Sequence, residues 1–264
     1  MQQDLKILTS AQNDTVKQLA RLIENARERR RQGVMVLEGI HLVQSALAAG
    51  VAFGQVFVNL HAVARPEVAA LCAAFGRSVP QYGLDEGLFS RVSALASAPE
   101  ILAVAARPQP EKPAAGMTRL MLEDIQDPGN MGTILRSAAA AAVTEVFLSA
   151  GCVDVFSPKV LRAGMGAHFA LSLHEHVDLE AELRAFGGTR LVTSLQGDRS
   201  LYAQDLRGAV AFVFGNEGAG VSPVLHDIAD ARVRIPMPGQ AESLNVAMAA
   251  TLCLFERVRQ LDVS

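Results

Sequence analysis

Three polar, glycine-bearing segments in the second half of the chain carry the residue types that do chemistry. They are Asp127-Pro128-Gly129-Asn130-Met131-Gly132-Thr133-Ile134-Leu135-Arg136, Phe214-Gly215-Asn216-Glu217-Gly218-Ala219-Gly220, and Ile235-Pro236-Met237-Pro238-Gly239-Gln240-Ala241-Glu242-Ser243-Leu244-Asn245-Val246. Each follows a strand-like run, at residues 120–122, 210–214 and 231–235. Such runs with helical patterns after them read as buried parallel strands. Open parallel sheets bind ligands beyond the carboxyl ends of their strands. Asn130, Arg136, Glu217, Ser243 and Asn245 are therefore expected to converge on one composite site. A guanidinium held at the mouth of a sheet suits a phosphate or a developing oxyanion.

Other chemistries fit poorly. The loop at 215–220 has neither G-x-G-x-x-G nor a closing Gly-Lys-Ser/Thr, and it comes late in its domain, so a dinucleotide-binding oxidoreductase is disfavoured. His174-Glu175-His176 sets two imidazoles on one strand face, but no third ligand follows at suitable spacing. A solvent-facing strand end is expected there, and no metal. His168 and Ser243 form no G-x-S-x-G elbow, which argues against a hydrolase. Structural roles compete for two of the site residues: Asn130 can cap the helix it opens, and Ser243 or Asn245 can cap the last one.

The elements that must position these residues fall into two parts. Residues 107–117 hold three prolines in a polar stretch, which denies both helix and central strand and reads as a linker. Before it, residues 1–106 alternate helix and strand patterns. Asp14 is expected to cap a helix through Ile23, with strands near 34–37, 56–58, 79–82 and 101–105 and helices near 40–49, 67–74 and 85–92. This is a small α/β module. After it, residues 118–264 read as strand 119–122, helix 132–142, strand 145–148, then a helix capped by Ser157-Pro158. Strands at 170–173, 191–194, 210–214 and 232–235 follow. Asp178 and Ser222-Pro223 are expected as further caps, and a last helix spans 245–260.

Composition sets bounds. Half of the 264 residues are hydrophobic, so the chain should fold. No apolar run reaches the roughly 18 residues that a membrane span needs, and no signal peptide opens it. Cys72, Cys152 and Cys253 are odd in number and widely spaced, which reads as free thiols in the cytoplasm. The net charge of −3 does not advertise a nucleic-acid binder, yet residues 1–37 hold seven Lys/Arg against four acids. Arg29, Arg30 and Arg31 are the candidate phosphate contacts. With no Trp and two Tyr, stacking platforms for single strands are scarce.

In order, the three segments resemble the signature motifs of SpoU/TrmH-type RNA ribose 2′-O-methyltransferases of the SPOUT superfamily. Asn130, Gly132 and Arg136 match N-x-G-x-x-x-R. Gly215, Asn216, Glu217 and Gly220 match G-N-E-x-x-G. Ile235, Pro236, Met237, Ser243, Leu244, Asn245 and Val246 match I-P-M…S-L-N-V. The likeness extends to Ser157-Pro158-Lys159 and Arg162-Ala163-Gly164-Met165-Gly166. More weakly, Ser10-Ala11-Gln12-Asn13 and Val36-Leu37-Glu38-Gly39 resemble the RNA-binding module of the family. Ala140, Val143 and Ala247 depart from its common residues.

The resemblance implies an α/β fold whose parallel sheet ends in a deep trefoil knot, preceded by a small α/β RNA-binding domain. It implies S-adenosylmethionine as cofactor, without metal, against Thr193, Ser194, Leu195, Gly215, Asn216, Ile235, Met237, Leu244 and Val246. Arg136 becomes the catalytic arginine, oriented with the ribose by Asn130, Glu217, Ser243 and Asn245. Either Arg136 or Glu217 could handle the proton. Arg162 joins the candidate RNA contacts. A homodimer is implied, and ribosomal RNA is favoured over transfer RNA as substrate. A non-catalytic RNA-binding or ribosome-assembly protein of the same fold is the alternative.

Overall fold

The computed structural model describes residues 5–93, 98–110 and 118–262. The chain divides into two compact units. One comprises the residues up to Pro108 together with Phe156–Phe169; the other comprises Gln109–Val155 and the residues from Ala170 onward. Of the stretch expected as linker, residues 111–117 lie outside the described residues. The assignment of Phe156–Phe169 to the first unit has no counterpart in the sequence reading.

The first unit contains β1 (Lys6–Leu8), α1 (Asp14–Glu24), α2 (Ala26–Gln32), β2 (Val34–Glu38), α3 (Ile40–Ala48), β3 (Phe53–Asn59), α4 (Pro66–Phe75), β4 (Gln81–Leu84), α5 (Glu86–Val92) and β5 (Ile101–Ala106). Its sheet runs β1-β4-β3-β5-β2, with β5 antiparallel to both neighbours and the other pairs parallel. Val16, Leu19, Leu22 and Ile23 bury one face of α1. Leu19 and Leu22 join Val36, Phe57, Leu84 and Phe89 in one core. Asn13, not Asp14, caps α1, its Oδ1 accepting from the Thr15 N–H at 2.9 Å.

Two arginines expected to face RNA have other work here. Arg29 is buried, and its Nη1 donates to the Leu22 and Ile23 carbonyls at 2.7 and 2.8 Å. Those are end-of-helix carbonyls without an intrahelical partner, so a buried cation satisfies them. Arg29 closes α1 and is removed from the set of phosphate contacts; Arg30 and Arg31 remain exposed. Arg162 sits 3.7 Å from Glu38 Oε2, a carboxylate whose side chain is fully buried.

The second unit begins with β6 (Thr118–Leu122), α6 (Pro128–Ala140) and β7 (Glu145–Leu148). Next in the chain comes α7 (Pro158–Gly164), which belongs to the first unit. The second unit resumes with β8 (Ser172–His174), α8 (Leu179–Ala185), β9 (Thr189–Thr193), β10 (Arg199–Ser200), β11 (Val210–Phe214), α9 (Pro223–Ile228), β12 (Ala231–Arg234) and α10 (Val246–Asp262). Its seven strands are all parallel, in the order β10-β12-β9-β11-β6-β7-β8. Every residue of β11 is buried, as a central parallel strand requires. Met121, Phe147, Leu183, Val192, Val213 and Leu225 form the core on one side of the sheet.

His174 departs from expectation. It is buried rather than solvent-facing, stacked on Phe147 with centroids 4.6 Å apart. Among the described residues no cluster of three or more His, Cys, Asp or Glu could hold a metal ion. No helix among them is long and apolar enough to cross a membrane.

Candidate active site

Sheet order and register bring the three segments together. The chain steps outward from β6 to β7 and β8, then returns to the far side through β9, with β11 inserted between β9 and β6. A ligand crevice forms where strand order reverses, at the carboxyl ends. Leu122 pairs with Phe214 and Thr193 with Val233. The segments after β6 and β11 therefore leave the sheet level with one another, as do those after β9 and β12.

The loop after β11 is folded on itself by glycine. A Cβ on Gly215 would stand 2.1 Å from the Gly220 carbonyl oxygen, so no other residue fits without moving the loop. Gly220 adopts φ +71°, and its N–H donates to the Asn216 carbonyl at 2.8 Å. The Asn216 side chain completes the turn. Its Oδ1 accepts from the Gly218 and Ala219 N–H groups at 2.8 and 3.2 Å, and its Nδ2 donates to the Asp124 carbonyl at 3.0 Å. One amide thus ties the loop to the end of β6 and holds Glu217 in place.

Capping differs from expectation in a way that matters to the site. Asp127, not Asn130, caps α6, accepting from the Asn130 N–H at 2.7 Å, and Pro128 occupies the first turn. With the cap filled, the Asn130 side chain is released toward the other segments. Its Nδ2 donates to Glu217 Oε1, and its Oδ1 accepts from Asn245 Nδ2 at 2.8 Å. Asn245 is the cap of α10: its Oδ1 accepts from the Ala247 and Met248 N–H groups at 2.9 and 3.4 Å. Behind this chain Ser137 Oγ lies 2.7 Å from Thr251 Oγ1, pinning α6 to α10.

Beside these residues lies a cavity of about 520 Å³. That is the size range of small-molecule and cofactor sites. All nine residues expected to hold the cofactor line it: Thr193, Ser194, Leu195, Gly215, Asn216, Ile235, Met237, Leu244 and Val246. Glu217, Ser243 and Asn245 line it too, whereas Asn130 joins through its hydrogen bonds. Arg136 is exposed on α6 and does not line the cavity. It makes no hydrogen bond or ion pair among the described residues. Thr193 Oγ1 donates to the Val213 carbonyl at 3.1 Å, which turns this hydroxyl toward the sheet.

The sequence reading missed Arg234 and His226 in the wall. Arg234 alternates with buried Val233 along β12 and donates to the Gly197 carbonyl at 3.3 Å. Strand alternation within the run at 231–235 was the available signal for it. His226 lies one turn beyond Ser222-Pro223 and belongs to no motif. Burial, with Arg232 adding to it, holds its imidazole below the usual range and favours the neutral ring.

Comparison with known proteins gives the same picture. Residues 117–255 match the SpoU rRNA Methylase family, and residues 13–103 match the MRM3-like substrate binding domain. A Synechocystis protein called an uncharacterised tRNA/rRNA methyltransferase is 35% identical over 263 residues, 97% of this chain and 95% of that one. The Bacillus subtilis 23S rRNA (guanosine(2553)-2′-O)-methyltransferase RlmP is 33% identical, covering 95% of this chain and 98% of its own. Among solved structures, the AdoMet-bound rRNA methyltransferase from Sinorhizobium meliloti superposes with a TM-score of 0.85 at 30% identity, covering 97% of this chain and 98% of that one.

Proposed function

The chain belongs to the SpoU rRNA methylase family, and from that premise we propose that it methylates a ribose 2′-hydroxyl of large-subunit ribosomal RNA. It is an S-adenosylmethionine-dependent RNA 2′-O-methyltransferase. The observation that carries the chemistry is the hydrogen-bonded meeting of Asn130, Glu217 and Asn245 at the rim of the cavity. The residues present fit the cofactor: the cavity has the right size class, its loop closes only with glycine at 215, and its rim is polar.

S-adenosylmethionine supplies an activated methyl group, so the protein must align the acceptor oxygen and help remove its proton. In this reading the nine cavity residues hold the cofactor, and Arg136 fixes the target phosphate and stabilises the emerging alkoxide. Its exposure, with no partner among the described residues, leaves the guanidinium available for an incoming anion. Asn130, Ser243 and Asn245 orient the ribose.

The preference for ribosomal over transfer RNA rests on RlmP and on the solved relative, whose names specify rRNA. The first unit would select the RNA. A homodimer through α6 and α10 is part of the proposal, as is the trefoil knot. Met248, Leu252 and Phe255 recur at i, i+4 and i+7 on α10 and are 48, 39 and 44% exposed, an apolar stripe suited to a second copy. The three free thiols support a cytoplasmic setting.

Mapping ribose methylation in RNA from cells with and without the gene tests the proposal. A 2′-O-methyl mark on 23S-type RNA that disappears with the gene is expected. Disappearance of a mark from transfer RNA alone would move the substrate; an unchanged methylation map would reject the activity.

A further inference from the structure

We infer that the outer side of α7, presenting Lys159, Arg162 and Met165, is an RNA-contact surface of the first unit, although its residues lie in sequence between β7 and β8 of the second. The inference rests on the RNA methyltransferase reading above and adds a place at which the substrate is held.

The inner side of α7 explains why the helix belongs with the first unit. Pro158, Val160, Leu161 and Gly164 are buried, and the helix packs against β2. Phe156, just ahead of it, is buried beneath Arg107, whose Cζ stands 4.1 Å from the ring centroid. Just after it, a Cβ on Gly166 would stand 2.9 Å from Ser45 Cβ, so the backbone there is pressed against α3. Gly166 also adopts φ +90°, which favours glycine again. Such close seating fixes the direction in which the outer side chains leave the helix.

The outer side is cationic with one apolar tip. Residues 156–169 include Lys159 and Arg162 and no Asp or Glu. Lys159 is exposed and has no partner among the described residues. Arg162, one turn on, is 42% exposed, and its Nη1 lies 3.7 Å from Oε2 of buried Glu38. That ion pair turns one edge of the guanidinium inward and leaves the rest of the fork to an outside acceptor. Met165 comes three positions later, at the end of the helix. Its backbone is left-handed at φ +48° and ψ +40°, and its N–H donates to the Leu161 and Arg162 carbonyls at 3.1 and 3.2 Å. Glycine would adopt that conformation without strain. Met165 is nevertheless 53% exposed, so a long apolar side chain is held in solvent beside two cations, where it adds little to the core.

RNA suits this arrangement better than a protein partner does. Residues three apart on a helix are neighbours, so the two cations can take phosphates of one strand. A flexible, polarisable thioether packs against aromatic faces, and an unstacked base offers one. A stable protein interface buries about 800 Å² on each partner. Met165 is the only large apolar side chain exposed in this segment, which is too little for such an interface.

Lys159→Glu combined with Met165→Glu tests the surface while leaving Arg162 in place, so that Glu38 does not become a lone buried charge. Full-length wild type and variant are compared for binding to 23S-type ribosomal RNA from a strain lacking the gene, at two salt concentrations. Calorimetry with S-adenosylhomocysteine and melting curves accompany the binding. RNA affinity is expected to fall at least about ten-fold, with product affinity and melting temperature unchanged. Two milder variants, which only shorten exposed side chains, decide the matter if the double variant melts early. Lys159→Ala should reduce the salt slope by about one. Met165→Ala should weaken binding by about two- to ten-fold without moving the slope, because an apolar contact releases no counterions.

RNA affinity of all three variants within about two-fold of wild type at both salt concentrations would overturn the inference. So would a change in sedimentation of the double variant with its RNA affinity retained, which would make this face a protein contact. Wild type that binds the RNA, with the variants behaving as expected, but transfers no methyl group would support the surface and reject the activity proposed above.

Discussion

Asn245 donates its side-chain amide to Asn130 Oδ1 at 2.8 Å across 115 positions of sequence. This bond joins the cap of the last helix to the first turn of α6. Through Glu217 it links all three polar segments in a single hydrogen-bonded chain. The site and the elements that hold it can be tested residue by residue.

Arg136→Ala should reduce methyl transfer by about 10² to 10³-fold, the usual cost of removing one preorganised charge. The side chain is exposed and makes no internal bond among the described residues, so thermal stability should change by no more than about 0.5 kcal/mol. Arg136→Lys should recover little if bidentate phosphate geometry matters. Single-turnover rates beside melting curves check this, and an unimpaired rate removes Arg136 from catalysis.

Gly215→Ala should cripple cofactor binding. The added Cβ would meet the Gly220 carbonyl oxygen at 2.1 Å, forcing open the loop that carries Asn216 and Glu217. Titration with S-adenosylhomocysteine should show near one equivalent per wild-type chain and at least a ten-fold weaker constant in the variant. Gly208→Ala is the control, since nothing among the described residues lies within 4 Å of its Cβ position.

The basic stretch of α2 should separate into two behaviours. Arg29→Ala should destabilise by about 1–3 kcal/mol, because two buried carbonyls at the end of α1 are left without their donor. Charge reversal at Arg30 and Arg31 should cost much less, although at Arg31 it breaks the exposed pair with Glu28 at 2.6 Å. It should weaken RNA binding and reduce its salt slope by about one for each phosphate that is no longer neutralised. Binding curves at two ionic strengths decide; curves that coincide with wild type would leave this helix face merely solvated.

Leu252→Glu on α10 should convert a dimer into a monomer by placing a charge in the Met248–Leu252–Phe255 stripe. Sedimentation of both proteins at micromolar concentration gives the answer. A wild type that already sediments as a monomer would reject the dimer.

Acid should destabilise the second unit through His174. Burial, with Arg119 adding to it, holds this imidazole below its ordinary 6.5, while Glu145 and Glu182 oppose the shift. The unfolded chain therefore takes up the proton first. The contribution is intact above pH 6.5 and fades as pH falls from there through the lower folded value. His174→Leu should show a smaller drop in urea midpoint between pH 7.5 and 5.5 than wild type. An equal drop would assign acid sensitivity to other groups, His226 among them.

Much of this protein was legible because the relevant signals are local. Strand β11 begins and ends where its apolar run does, at Val210–Phe214, since a buried parallel strand is a continuous apolar run, and β7 spans Glu145–Leu148 as expected. Asp178 and Ser157 cap the helices they were expected to cap, because capping involves a residue and its next few neighbours. Polar segments at strand ends pointed to a shared site, since parallel strands deliver their carboxyl ends to one edge. What the local pattern could not settle were choices between equivalent side chains and the bonds made across long separations. Asp127 and Asn130 both suit a helix start, and which of them caps α6 follows from the hydrogen bonds that Asn130 finds on Glu217 and Asn245. The sequence shows Arg29 as one cation among three; only the packing of α2 against the end of α1 buries it. His174 looks like a strand end until Phe147 in the neighbouring strand stacks on it. The hydrogen bonds that join Glu217 to Asn130 and Asn130 to Asn245 span 87 and 115 residues, a separation at which periodicity carries no information and register and packing decide.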